Sequence, residues 1–129
     1  MQIHQSAEDY LETILMLNQR MGRVRSIDVV NELGYTKASV SIAMKKLREN
    51  GYIAVDGEGN LTLLAPGREI AERIYSRHRL LTHFFVQLGV DEQTAAEDAC
   101  KAEHILSEQT LEKIRESALR NDAAHPQAK

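Results

Sequence analysis

The stretch SIDVVNELGYTKASVSIAMKKLRENGYIAVDGEGNLTLL, residues 26–64, carries the strongest structural signal in this chain. Ser26 can cap a short helix that ends at Gly34, and Thr36 can cap a second helix that Gly51 closes. The runs YIAV and LTLL that follow flank the glycine-rich segment DGEGN, which is the pattern of a β-hairpin. The stretch therefore predicts a helix, a glycine turn, a second helix and a hairpin, in that order.

A further helix precedes this stretch. Ser6 is placed to cap it, apolar residues recur after Ser6 at near-helical spacing, and Gly22 ends it. Three short helices and a hairpin, with a glycine turn between the second and third helices, are typical of a winged helix-turn-helix. In that arrangement the third helix, 36–50, enters a DNA groove. We therefore predict a DNA-binding domain over residues 1–66.

Helix 36–50 combines one apolar stripe with an opposite face of small, polar and basic side chains. Such a face can approach phosphates and base edges, whereas acidic side chains would repel the DNA. Ala38 and Ile42, if they point outward, can pack against thymine methyl groups. The alternative is an ordinary solvent-exposed helix that carries lysines, and the neighbouring hairpin argues against it. The residues expected to contact DNA are Arg25, Thr36, Lys37, Ala38, Ser39, Ser41, Ile42, Lys45 and Lys46.

Charge is distributed unevenly along the chain, although the net charge of the 129 residues is only −3. Residues 20–50 carry seven basic and three acidic side chains, while residues 1–19 and 80–129 are acidic. A basic window attracts phosphate, and clustered acids on facing helices can hold a cation. The expected DNA contacts therefore lie in the positive segment, and the acidic segments that flank it are candidates for metal binding.

Several classes of protein are disfavoured by the sequence. With the single cysteine Cys100, no disulfide can form within the chain, and the start MQIHQSAEDY shows no basic-then-apolar export signal. No apolar run approaches the roughly 20 residues that span a bilayer. We therefore expect a cytoplasmic protein without a membrane partner. Because the sequence has neither a glycine-rich phosphate loop nor a nucleophile elbow, we expect neither an enzyme nor a small organic substrate.

The second half of the chain is predicted to be helical throughout. Capping residues and apolar periodicity predict helices over about 68–88, with a break near His78, over 91–107 and over 107–120. These helices would form an all-helical domain over residues 67–121, followed by a disordered tail at 122–129. The predicted fold is therefore mostly α, with a winged helix-turn-helix domain followed by an all-helical domain.

Residue types that bind metals recur at helical spacing. Cys100, Glu103 and His104 stand at i, i+3 and i+4, Asp9 and Glu12 at i and i+3, and His78 lies on the long helix after the hairpin. Each also has an ordinary interpretation, as a capping or solvated acid, a surface histidine or a small apolar cysteine. Spacing alone therefore leaves a metal site and a purely structural role open.

Several segments match, in order and spacing, those of one known family. They are SAEDYLE at 6–12, SVS at 39–41, KL at 46–47, LTL at 61–63 before Pro66-Gly67, RHRLL at 77–81, LGV at 88–90 and CxxEH at 100–104. On these residues the chain resembles the metal-dependent repressors that include the diphtheria toxin repressor and the manganese transport regulator. The resemblance covers nearly the whole chain. It implies the shorter, manganese-regulator architecture with a metal-binding and dimerisation domain, and without the SH3-like domain of some members.

The resemblance implies a ligand set that combines two branches of the family. The first ligand is Asp, as in the manganese regulators, whereas Cys100 stands where they have Glu and the iron-type repressors have Cys. Thr82 and Ala96 occupy ancillary-site positions of the iron type and cannot replace its Glu and His, so the resemblance favours two adjacent cations per chain that share Glu12 and Glu103. We expect Mn(II) or Fe(II), with Co(II) or Zn(II) binding in vitro. The implied metal ligands are Asp9, Glu12, His78, Cys100, Glu103 and His104.

The function implied is metal-activated, sequence-specific repression in manganese and iron homeostasis. The cation would act as co-repressor and tie the DNA-reading half to the C-terminal helices of a homodimer, which binds a palindromic operator in double-stranded DNA. Two alternatives remain. The first is a winged-helix regulator controlled by another ligand or by the redox state of Cys100. The second, more remote, is a helical di-metal enzyme, but the Glu-x-x-His pairs typical of such enzymes are missing from the sequence. The apolar surface expected for pairing comprises Leu80, Leu81, Phe84, Phe85, Leu88 and parts of 105–114.

Overall fold

A computed structural model describes residues 5–124 of the chain. Their backbone forms two compact units that divide between Arg73 and Ile74, here called the N-terminal unit and the C-terminal unit. A mostly helical architecture with one small hairpin confirms the predicted fold class. The elements of the described residues are α1 (Gln5–Met21), α2 (Ser26–Leu33), α3 (Lys37–Glu49), β1 (Ile53–Val55), β2 (Leu61–Leu63), α4 (Ala65–Gln87), α5 (Glu92–Ala102) and α6 (Glu108–Ala124).

The first two helices begin earlier than predicted. α1 already includes Gln5, so Ser6 lies inside the first turn and does not cap the helix. α2 is capped by Arg25 in place of Ser26, because the backbone N–H of Arg25 donates to Asp28 Oδ2 over 2.9 Å. Gly34 ends α2 in the left-handed region at φ 73°, which favours glycine.

The helix α3, which the sequence predicts to enter a DNA groove, is fixed by an apolar stripe. Val40, Met44 and Leu47 are buried, as their spacing predicts, and Ala43 is half-buried. The helix contacts α1, α2 and β1. Burying each large aliphatic side chain contributes about 1.5–3 kcal/mol, so the stripe holds α3 with its opposite face in solvent. Thr36 caps the helix as predicted, since its Oγ1 accepts a hydrogen bond from the backbone N–H of Ser39 over 3.1 Å.

The wing is a two-stranded antiparallel hairpin in which Ile53 pairs with Leu63. Its turn is ordered by Asp56, whose Oδ1 accepts hydrogen bonds from the backbone N–H groups of Glu58 and Asn60, each over 2.9 Å. Hydrogen bonds from Asn60 are the main cause that lowers the pKa of the Asp56 carboxyl. The charged form of Asp56 is therefore the form that stabilises the wing turn.

α4 begins directly after the wing. The sequence predicts that Pro66 and Gly67 interrupt the chain and that the helix starts at Arg68, but both lie in the first turn of α4. Proline is compatible with a first turn because its missing N–H would have no helical partner there. The helix continues through His78 to Gln87, so the predicted break near His78 is wrong.

The C-terminal unit packs the second part of α4 with α5 and α6. Its core contains Leu81, Ala99 and Leu111. α5 ends at Ala102, well before the predicted end near residue 107, and α6 continues past the predicted end near residue 120 to Ala124. The predicted disordered tail is thus helical over 122–124, and residues 125–129 lie outside the described residues. No helix within residues 5–124 is both long and apolar enough to cross a membrane.

Candidate functional site

A buried carboxylate between two imidazoles is the main chemical feature of the C-terminal unit. Glu103 Oε2 lies 3.0 Å from His78 Nδ1, and Glu103 Oε1 lies 3.4 Å from His104 Nε2. The side chains of Glu103 and His104 are 0% and 1% exposed, and that of His78 is 19% exposed. Three of the six residues implied as ligands therefore lie together within one unit.

The positions of Glu103 and His104 differ from the predicted single helical face. α5 ends at Ala102, and Glu103 follows as its C-cap with near-helical angles, φ −59° and ψ −21°. The N–H of Glu103 still donates to the Ala99 carbonyl over 2.9 Å, which keeps Glu103 in register with the helix. His104 lies in the following turn. Only Cys100 of the three predicted residues is thus in a regular helix, and its side chain is exposed.

Arg77 holds this turn and was not among the predicted site residues. Its Nη1 donates to the backbone carbonyl of Glu103 over 3.2 Å, and its Nη2 forms an ion pair with Glu108. The carbonyl of Glu103 is one of the groups that a helix end leaves without a helical partner. The sequence signals for Arg77 are its position beside His78 and its place in the RHRLL segment, because the contacts it makes are 26 and 31 residues away.

The donor chemistry of this cluster fits a divalent transition metal. Imidazole nitrogens suit Fe, Cu, Ni and Zn, and carboxylate oxygens suit Mn. A buried carboxylate is stable only when its charge is balanced or hydrogen-bonded, and ligating histidines usually have a carboxylate nearby. His78, Glu103 and His104 are therefore suitable residues to hold such an ion. Thr82, by contrast, donates its hydroxyl to the His78 carbonyl over 2.8 Å, a common hydrogen bond within a helix.

Two further implied ligands, Asp9 and Glu12, lie on α1 of the N-terminal unit. Asp9 is half-buried and Glu12 is buried, one helical turn apart. Between them, Tyr10 packs edge-on against Tyr35, with ring centroids 5.9 Å apart and an interplanar angle of 76°. Burial is the main cause that raises the pKa of the Tyr10 phenol, and Tyr35 and Asp9 add to it. Because Tyr35 precedes the cap of α3, the segment of α1 that carries Asp9 and Glu12 contacts the start of the recognition helix.

The exposed face of α3 carries the side chains predicted to contact DNA. All nine predicted residues are exposed, including Ile42, which is 58% exposed. Arg48, which the sequence reasoning left out, is also exposed at the end of α3. Arg25 lies at the base of the wing, where its backbone bridges to Asn60 and a Cβ on Gly59 would lie 3.3 Å from its Nη2. The structure thus places basic groups on both α3 and the wing base.

Part of the predicted pairing surface is used within the C-terminal unit. Leu81 is fully buried in the core of that unit, and Leu80 and Phe85 pack against this core. The expectation that Leu81 faces a second copy is therefore wrong, because its side chain is buried by packing within its own chain. Leu88 and Ile105 remain 65% and 76% exposed.

Comparison with known proteins assigns the two halves separately. The family described as "Iron dependent repressor, N-terminal DNA binding domain" matches residues 2–61, and "Iron dependent repressor, metal binding and dimerisation domain" matches residues 65–126. An HTH-type transcriptional regulator of Methanocaldococcus jannaschii is 36% identical over 113 residues, which are 86% of this chain and 90% of the relative. The regulator MntR of Bacillus subtilis is 34% identical over 109 residues, 84% of this chain and 77% of that protein.

A solved structure gives the same assignment. A manganese-dependent transcriptional repressor in complex with manganese is 28% identical, with a TM-score of 0.79 over 87% of this chain and 52% of that chain. The present chain thus spans about half the length of this solved relative. By both domain matches and by these relatives, the chain belongs to the iron-dependent repressor family, whose members are metal-dependent DNA-binding transcriptional regulators and not enzymes.

Proposed function

We propose that this chain is a metal-activated repressor of manganese or iron homeostasis that binds palindromic operator DNA as a homodimer. The observation that most supports the proposal is the buried Glu103 carboxylate within 3.0 Å of His78 Nδ1 and 3.4 Å of His104 Nε2. These residues fall in the segment matched by the metal-binding domain of the family. The cytoplasmic location expected from the sequence stays a prediction.

The proposed ligand set combines the cluster in the C-terminal unit with two acids of α1. A divalent cation, when bound, supplies positive charge that neutralises neighbouring carboxylates. His78 and His104 would contribute imidazole nitrogens, and Glu12 and Glu103 would contribute carboxylate oxygens to two cations per chain. Binding by residues of both units would fix the placement of the DNA-reading unit. The full proposed set is Asp9, Glu12, His78, Cys100, Glu103 and His104.

Contacts within the N-terminal unit suggest how metal binding at Asp9 and Glu12 would affect the position of α3. Asp9 and Glu12 flank Tyr10, whose ring packs on Tyr35 immediately before the α3 cap Thr36. Holding the two acids would therefore restrict the part of α1 on which the start of α3 packs. Linkage then requires operator DNA to tighten metal binding by the same factor by which metal tightens DNA binding.

The switch is tested by a single isosteric change, Glu103→Gln. The DNA is a duplex enriched by the wild-type protein, in the presence of Mn(II), from a pool of random sequences. Affinity is measured at one fixed salt concentration with Mn(II) and with a chelator. We expect Glu103→Gln to retain the weak metal-free affinity and to lose the gain produced by Mn(II). Equal binding by wild-type protein with Mn(II) and with chelator would refute the proposal.

A matched control lies on α5, the helix that ends just before Glu103. Glu97 is exposed on α5, so Glu97→Gln makes the same chemical change and the same change in net charge away from the cluster. We expect Glu97→Gln to bind the duplex like the wild type in both conditions. Loss of the Mn(II) response in both variants would mean that net charge, and not the cluster, controls DNA binding.

Metal preference is proposed to depend on Cys100. A soft thiolate favours Fe(II), Co(II) or Zn(II), whereas a carboxylate suits Mn(II). The test is a titration of DNA binding with each of these four ions for the wild type and for Cys100→Glu. We expect the substitution to shift the order of effectiveness toward Mn(II). An unchanged order would remove Cys100 from the selectivity argument.

Pairing of two chains is proposed to use the exposed apolar side chains of the C-terminal unit. Leu88 and Ile105, both part of the predicted pairing surface, are the main candidates because they are exposed, whereas Leu81 is buried within its own unit. Sedimentation of the wild type and of Leu88→Glu tests this assignment. A dimer of unchanged stability in the variant would exclude Leu88 from the interface.

A further inference from the structure

Two apolar side chains, here called the apolar row, lie on the exposed face of α3. DNA binding through charged side chains alone gives them no role. Ile42 is 58% exposed, and Ala38, four residues earlier on the same helical face, is exposed as well. Lys45 and Lys46 follow one turn after Ile42. The row therefore lies among basic groups, on the side of α3 opposite to the buried Val40, Met44 and Leu47.

The planar side chains that read bases are missing from the same part of the helix. Residues 37–46 of α3, all of them described, include no Arg, Asn or Gln, and their hydrogen-bonding groups are those of three lysines and two serines. The Ser39 hydroxyl is engaged by the hydroxyl of Thr36 over 2.9 Å. A lysine is a flexible point charge better suited to a phosphate than to a planar base edge. Apolar contact is therefore a means of direct readout that the composition of this face favours.

The major groove offers one apolar group on a base edge, the C5 methyl of thymine. The N-terminal part of a recognition helix contacts base edges in this groove, and both Ala38 and Ile42 lie in the first two turns of α3. We propose that Ile42 is a specificity-determining residue that selects thymine in each operator half-site through its C5 methyl, with Ala38 extending the same apolar surface. This inference rests on the proposed binding of operator DNA.

The test removes the thymine methyl and nothing else. The probe is the duplex enriched from random sequences by the metal-saturated full chain, and its thymines are replaced one at a time by deoxyuridine. For the wild type we expect at least one symmetry-related pair of positions at which the replacement weakens binding about fourfold per half-site. This fold-change corresponds to about 0.8 kcal/mol for one buried methyl group.

Two variants separate the role of Ile42 from general DNA affinity. In Ile42→Ala the same replacement should change the affinity less than twofold, because the partner of the methyl group has been removed. In the control Lys45→Ala the affinity should fall for both duplexes, and the ratio between thymine and deoxyuridine should stay that of the wild type. Thermal unfolding of Ile42→Ala should match the wild type because the side chain is exposed.

The outcomes distinguish this inference from the proposed function. If the wild type binds the duplex in a metal-dependent way but tolerates deoxyuridine at every position, the role of Ile42 is refuted and the proposed function stands. If Ile42→Ala keeps the full sensitivity to the methyl group, another residue reads it and the inference is also overturned. If the metal-saturated chain enriches no sequence at all, the proposed function fails and the inference fails with it.

Discussion

Replacing Gly67 by Ala should destabilise the N-terminal unit, because the backbone of the wing leaves no room for a methyl group. A Cβ at this position would lie 2.2 Å from the carbonyl oxygen of Tyr52 and 3.0 Å from its carbonyl carbon. That oxygen also accepts a hydrogen bond from the N–H of Leu64 over 3.0 Å. Since non-bonded heavy atoms normally rest about 3.5 Å apart, the wing or the start of α4 has to move by more than about 1 Å.

Two opposing effects decide the size of this change. Alanine is favoured over glycine in a helix interior by about 1 kcal/mol, and by less in a first turn. Overpacking against a rigid neighbour costs about 1–3 kcal/mol, and here the neighbour is backbone that cannot rotate away. The steric cost should therefore exceed the helical gain. We expect the free energy of unfolding to fall by about 1–2 kcal/mol.

Urea unfolding followed by circular dichroism, with metal chelated, measures this loss. The matched control is Gly57→Ala in the wing turn, where a Cβ meets nothing within 4 Å and the backbone φ is not in the positive region. The control should stay within about 0.5 kcal/mol of the wild type. If Gly67→Ala were as stable as the wild type, the close approach to Tyr52 would not constrain the junction of wing and α4, and the steric argument would be refuted.

Three further outcomes are expected. Thr36→Ala should lower the free energy of unfolding by about 1 kcal/mol in urea denaturation, and Thr36→Ser should retain the cap to Ser39 and most of the stability. Lys37→Gln should weaken binding to all DNA duplexes about equally and reduce the slope of log affinity against log salt concentration by about 1. A loss of affinity confined to one DNA sequence would contradict a phosphate contact. Hydrogen bonds from Thr94 lower the pKa of the Asp91 carboxyl in the folded state. The carboxylate therefore stabilises the fold at pH values above its unfolded pKa of about 3.9. This stabilisation is lost as the pH falls through the lower pKa of the folded state. Asp91→Asn should therefore show a flatter stability profile below about pH 4 in acid titration of thermal unfolding, and a profile parallel to that of the wild type would exclude this role.

Local signals in the sequence predicted several helix boundaries because their causes are local. Thr36 and Asp91 cap α3 and α5 through hydrogen bonds that span three residues. Gly34 follows α2 with a positive φ that other residues rarely adopt. The apolar stripe of α3 was visible for the same reason, since a helix repeats its buried positions every three to four residues. All of these features depend on neighbours within one or two turns.

Features set by distant contacts could not be predicted in the same way. The end of α5 at Ala102 carries no glycine or proline signal, and the carbonyl of Glu103 just beyond it is satisfied by Arg77, 26 residues earlier in the chain. The approach of His78 to Glu103 spans 25 residues and could be expected only from the family resemblance. Likewise, the burial of Leu81 results from packing against α5 and α6 and not from its own neighbours in sequence.

Arg77 also bears on how selectively a cation could be held. Its hydrogen bond to the Glu103 carbonyl and its ion pair with Glu108 fix the turn that carries Glu103 and His104 through groups that are not themselves proposed ligands. A turn held in this way loses little conformational freedom when its side chains bind an ion, so it is preorganised. A cation bound at the proposed site would meet an imidazole and a carboxylate already held in place, and the geometry of these donors would itself favour some ions over others. The proposed role of Cys100, exposed on α5, adds a donor outside this turn whose softness would act on the same preference, and Cys100→Glu separates the two contributions.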